Sequence, residues 1–167
     1  MSCQTYPVVQ PDVRAVGDSS PSAPRERHGL RVVAFLCNWC SYAGADKAGA
    51  NQLAVPADIS VIRVMCSGRV EPTLILEAFQ KGADGVMVLA CHPGDCHYKE
   101  GNLRAALRLE LLQRMLSPLG IHPDRLMLDF VSAAQADKFS LITTEFVQRL
   151  YHLPTLLPSC HPLTQRH

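Results

Sequence analysis

Four short, largely apolar runs, each followed by a helix-like stretch, constrain this chain more than any other feature. They are Arg31–Leu36 (RVVAFL), Ile59–Met65 (ISVIRVM), Gly85–Ala90 (GVMVLA) and Leu126–Val131 (LMLDFV). Near-continuous apolar strands mark a parallel sheet covered on both faces. The stretches between them read as helices. Ser41–Leu53 is rich in alanine, and Glu71–Lys81 opens with Pro72 in its first turn and closes at Gly82. Asn102–Leu116 follows, with Asn102 as its expected N-cap, and then Ala133–Leu150, with Ser132 as the expected cap. Strand and helix in strict alternation predict the α/β class. The expected fold is a small parallel four-stranded sheet with helices on both faces, flavodoxin-like or Rossmann-like.

The length of 167 residues is that of one ordinary domain, and the 47% hydrophobic content is enough for a core. Residues 1–30 are rich in proline and serine and keep no helical or strand period. Residues 152–167 carry Pro154, Pro158 and Pro162. Both read as flexible tails around an α/β domain at 31–151. The formal net charge of +1 argues against a nucleic-acid footprint. No strictly apolar run is longer than the six residues of Val86–Cys91, against about 20 needed to span a membrane. No membrane span is expected, and the first 30 residues lack the apolar centre of a secretory signal. The chain is read as soluble and cytoplasmic.

The third helix is unusually apolar. Leu103, Leu107, Leu111 and Met115 form one i, i+4 row, and Ala105, Leu109, Leu112 and Leu116 form a second. This exceeds what one sheet face needs, so cover by the C-terminal segment or by a partner protein is expected.

In a reducing compartment seven cysteines point to metal binding or catalysis more than to disulfides. Cys37, Cys66 and Cys91 directly follow the first three apolar runs. All strand C-termini of a parallel sheet share one edge, the edge at which open α/β folds bind ligands. Cys40 follows in Cys-Asn-Trp-Cys, and Cys96 in Cys-His-Pro-Gly-Asp-Cys. Five cysteines are thus expected in one small volume, with Cys3 and Cys160 as thiols outside it. Three chemistries compete: an iron–sulfur cluster on four thiolates, a structural zinc ion, or a thiol–disulfide pair formed by Cys37 and Cys40.

The surrounding residues suit a cluster. Ser67, Gly68, Gly94 and Gly101 permit close backbone approach, and helix-start N–H groups would face an anionic site. Arg69 would add positive charge, Trp39 would shield the site from water, and His92 and His97 flank the last cysteine pair as hydrogen-bonding neighbours. The nucleotide-binding motif G-x-G-x-x-G and the P-loop are missing. No catalytic residues are assigned.

Val32–Asp46 (VVAFLCNWCSYAGAD), Arg63–Val70 (RVMCSGRV) and Gly82–Asn102 (GADGVMVLACHPGDCHYKEGN) together resemble the delta, or iron–sulfur, subunit family of methyl-viologen-reducing, F420-non-reducing hydrogenase. The resemblance spans roughly residues 31–150. It implies a [2Fe-2S] cluster held by four of Cys37, Cys40, Cys66, Cys91 and Cys96, in a non-catalytic electron-transfer subunit. It also implies the partners: an electron-input subunit, such as a hydrogenase or formate dehydrogenase, and the flavin subunit of a heterodisulfide-reductase-type complex.

Overall fold

The computed structural model describes residues 29–154 and 156. The two tails read from the sequence, with Cys3 and Cys160, lie almost wholly outside the described residues.

The elements alternate as β1 (Val32–Cys37), α1 (Ser41–Ala50), β2 (Ile59–Val64), α2 (Pro72–Gln80), β3 (Gly85–Ala90), α3 (Gly101–Leu116), β4 (Leu126–Phe130) and α4 (Ala136–His152). All strand pairings are parallel, and the spatial order is β2-β1-β3-β4. This is the order of the first four strands of a flavodoxin-like sheet.

Period-two alternation divides the strand side chains between two faces. Val32, Ala34 and Leu36 of β1, with Met87 and Leu89 of β3, pack against Ala48 of α1 and against Phe139, Ile142, Phe146 and Leu150 of α4. Phe35, Val86 and Val88 turn to the other face, where they meet Ile75 and Phe79 of α2 and Leu109, Leu112 and Leu116 of α3. β3 is buried along its whole length. The expected helices on both faces are present.

β2 departs from the expected cover. It is an edge strand, and Val61 and Ile62 are each 44% exposed. The helices lie over the central strands, so the apolar run of β2 is not enclosed on both sides as the sequence pattern implied. α3 also divides as its two rows suggest. Ala105, Leu109, Leu112 and Leu116 are buried, whereas Leu107 and Leu111 are 70% and 62% exposed among the described residues.

The helix ends need three corrections. α1 stops at Ala50, because Gln52 takes a left-handed backbone (φ 56°) that breaks the helix before Leu53. α3 begins at Gly101 with Glu100 as its N-cap, so Asn102 lies inside the first turn. α4 is capped by Gln135, not Ser132, and the Ser132 N–H donates to the Gln135 side-chain oxygen at 2.9 Å.

Candidate metal centre

The parallel register carries β1 and β3 side by side, Leu36 opposite Leu89, so that Cys37 and Cys91 emerge together at the C-terminal edge. In the order 2-1-3-4 the connections diverge between β1 and β3. That crevice is where open α/β sheets bind ligands.

Cys37, Cys40, Cys66, Cys91 and Cys96 form one buried group. The sulfurs of Cys37, Cys40 and Cys91 all lie within 4.8 Å of one another. The Cys37 and Cys91 sulfurs are 3.4 Å apart, and those of Cys66 and Cys96 are 3.9 Å apart. Cys40 and Cys91 are joined as a disulfide, with Cys37, Cys66 and Cys96 as free thiols. The Cys37 sulfur lies within 4.8 Å of both members of that pair.

These residues fit a thiolate-bound metal group. A tetrahedral metal about 2.3 Å from thiolate sulfur spaces its ligands about 3.8 Å apart, and the Cys37–Cys91 and Cys66–Cys96 separations bracket that value. The donor set is all sulfur, which suits iron–sulfur clusters and zinc. Ser67, directly after Cys66, buries a hydroxyl oxygen that has no hydrogen-bond partner among the described residues. A bound group with acceptor sulfurs would satisfy it. Holding metal through Cys40 or Cys91 requires both as thiolates.

Backbone geometry shapes the pocket. A Cβ on Gly101 would overlap the Cys66 sulfur and lie 3.4 Å from that of Cys96. A Cβ on Gly68 would fall 2.9 Å from the Gly101 Cα. The 3-10 turn Ser67–Arg69 and the start of α3 thus touch through two glycines. Gly94 has open space around it, so it does not take part in the close approach.

The electrostatics are uneven. Burial pushes the Cys66 thiol up, and the neighbouring Cys96 and Cys37 thiols reinforce this against the Gly68 N–H. Burial also opposes ionisation of Cys96. There the N–H groups of Asn102, Tyr98 and Gly101, with the Cys66 thiol, outweigh it and hold Cys96 below the ordinary thiol range. Two of those N–H groups belong to the first turn of α3, as expected for a helix start facing an anionic site.

Two buried polar side chains brace the crevice, and the sequence alone singles out neither for this role. Ser41 Oγ accepts from the Cys37 N–H at 2.8 Å and donates to the Leu89 carbonyl at 2.6 Å, tying β1 to β3 just below the sulfurs. Asn102 donates from Nδ2 to the carbonyls of Cys91 (3.0 Å) and His92 (2.7 Å). A polar residue heading the most apolar helix is the one signal for it in the sequence, and that signal equally fits a cap.

The expected neighbours lie farther out. Trp39 stacks on His97 with ring centroids 4.1 Å apart and is 46% exposed, so it is a surface pair and not a buried screen. His92 holds Gln135 at 2.7 Å. Arg69 is exposed in the 3-10 turn and lines a cavity shared with Cys66.

Residues 32–154 match the family described as methyl-viologen-reducing hydrogenase, delta subunit. The chain is 47% identical over 120 residues to the iron-sulfur subunit of the F420-non-reducing hydrogenase vhc of Methanococcus voltae, covering 72% of this chain and 83% of that one. It is 50% identical over 115 residues to the iron-sulfur subunit of the F420-non-reducing hydrogenase of Archaeoglobus profundus, covering 69% and 84%. A third relative is one of the subunits of the ferredoxin:CoB-CoM heterodisulfide reductase of Methanosarcina mazei. It is 48% identical over 119 residues, covering 71% of this chain but only 15% of that longer protein.

Proposed function

The chain belongs to the methyl-viologen-reducing hydrogenase delta-subunit family, and on that premise we propose that it is an electron-transfer protein holding one [2Fe-2S] cluster among Cys37, Cys40, Cys66, Cys91 and Cys96. The observation that carries this reading is the gathering of five buried cysteines at the β1/β3 crevice, with two pairs of sulfurs spaced as a tetrahedral metal would space them.

When bound, such a cluster accepts and returns a single electron without exchanging atoms. The chain's own part is to bind and to tune. Four of the five thiolates hold the irons, and the fifth is not a ligand. Ser41 and Asn102 fix the strand-end backbone that carries Cys37 and Cys91. The Gly101 and Asn102 N–H groups, directed at Cys96, stabilise negative charge on sulfur. All five cysteines are buried, which would limit the access of water to a bound cluster.

The partners follow the relatives. In the Methanosarcina mazei heterodisulfide reductase, a segment like this chain is part of one longer polypeptide. This supports a partner of that kind, the flavin subunit of a heterodisulfide-reductase-type complex, on one side. An electron-input oxidoreductase stands on the other. No helix among the described residues is long and apolar enough to cross a membrane, and the reading places the chain in the cytoplasm.

The test is anaerobic purification followed by iron, sulfide and zinc analysis with an absorption spectrum. About two iron and two sulfide per chain are expected. Zinc without labile sulfide, after attempted reconstitution, sinks the electron-transfer reading in favour of a structural module. Single Cys→Ser changes across the five then separate ligands from the spare.

A further inference from the structure

A cavity of about 740 Å³ opens beside the cysteine group. Cys66 and Gly101 of the site line it, together with four cations, Arg69, Lys99, Arg104 and Arg108. Glu100 is the one carboxylate lining it, paired with Arg104 at 3.5 Å. Arg108 pairs with Glu71 at 3.0 Å. Arg69 and Lys99 have no ion pair among the described residues. Because the whole chain carries only +1, this is a local concentration of positive charge and not a property of the surface at large.

The backbone holds one of these cations in an unusual way. Lys99 sits in the left-handed region (φ 68°), and its N–H donates to the Cys96 carbonyl at 2.9 Å. The turn that closes the cysteine loop therefore also fixes a lysine at the cavity. Exposed Met65 and Tyr98 share the same wall. Arginine, tyrosine and methionine are residue types enriched at protein interfaces.

We propose that this cavity is the docking seat for an acidic protein surface, the face of the redox partner that exchanges electrons with the cysteine-bound group. The proposal rests on the electron-transfer reading above and adds to it the place of docking and the charge of the partner. Positive charge next to Cys66 attracts and orients an acidic surface, and the same contact brings that partner to the sulfur that lines the cavity.

The test uses the full chain and two ferric cytochromes as probes, one strongly acidic and one strongly basic. Equilibrium binding is measured by calorimetry at low and high salt. Reduction of the haem is then followed by stopped flow after the loaded chain has been reduced with dithionite and freed of the excess. One electron leaves the chain and converts ferric haem to ferrous; no bond forms or breaks. The acidic cytochrome is expected to bind and to be reduced at least about tenfold better than the basic one at low salt, with the advantage fading at high salt.

The double variant Lys99→Glu/Arg104→Glu is expected to lower acidic-cytochrome affinity about tenfold while keeping the absorption spectrum. It should fold, since both side chains are exposed and the Glu100–Arg104 pair it gives up is a surface pair. Equal binding of the two cytochromes, or no change in the double variant, overturns the docking seat while leaving the cluster reading intact. Tight binding of inorganic pyrophosphate without the acidic cytochrome also overturns it, assigning the cavity to a small anion. A chain without iron that reduces neither cytochrome removes both readings together.

Discussion

Gly101 leaves no room for a side chain, because a Cβ there would overlap the sulfur of Cys66. The start of α3 and the Cys66 loop are thereby held in backbone contact, and Cys66 and Cys96 share one small volume. Gly101→Ala must push either the helix or the sulfur aside. Such overpacking costs about 1–3 kcal/mol, and the iron bound per chain should fall. Gly49→Ala is the counterpart: it lies within α1 with nothing within 4 Å of the new methyl group. It should stabilise the fold by about 0.5–1 kcal/mol and leave iron content unchanged. Thermal unfolding and iron analysis of both variants provide the check.

Asn102 braces the Cys91–His92 backbone from inside the fold. Asn102→Ala takes its donor from the Cys91 carbonyl, while the His92 carbonyl still accepts from the Asp95 N–H; the loss should cost about 1–3 kcal/mol. Urea unfolding should show that loss, and iron should be released faster on dilution into chelator. A stability loss with unchanged iron retention would limit Asn102 to a structural role.

Ser67 buries an unpartnered hydroxyl beside Cys66. In iron-free protein Ser67→Ala should therefore raise stability, by about 1 kcal/mol, because an unsatisfied polar group is removed. In loaded protein the gain should vanish if the hydroxyl donates to the bound group. Denaturant midpoints of the two forms decide it, and an equal gain in both would detach Ser67 from the site.

The two rows of α3 predict opposite mutational behaviour. Leu107→Glu and Leu111→Glu change exposed positions and should shift stability by no more than about 0.5 kcal/mol. Leu112→Ala opens a cavity between α3 and the sheet and should cost about 2–5 kcal/mol. Comparable losses at all three positions would mean that the outer row is covered in the intact chain.

The legible part of this protein is written in local pattern. Runs such as GVMVLA at β3 cannot avoid burial, and a cysteine placed just after such a run must emerge at the strand's C-terminal end. Three runs each followed by a cysteine, in a sheet whose strands all point one way, bring those cysteines to one edge. Local pattern is silent on β2, whose apolar run looks like the others yet lies at the exposed rim. Only the strand order decides which strand is an edge. Local pattern also misplaces Asn102, because a polar residue at a helix start looks like a cap until the helix is seen to begin one residue earlier.

By itself, then, the sequence determined the element types, the parallel sheet and the convergence of five cysteines, because periodicity and chain direction are local properties. Tertiary structure alone decided that β1 and β3 lie side by side, that Cys37 and Cys40 meet Cys91, and that Gly68 touches Gly101. It likewise gathered Arg69, Lys99, Arg104 and Arg108 around one cavity. Lys99, Arg104 and Arg108 are near neighbours around the start of α3, but the other juxtapositions join residues far apart in the chain, and their spacing is set by strand register and helix packing, which no local pattern encodes.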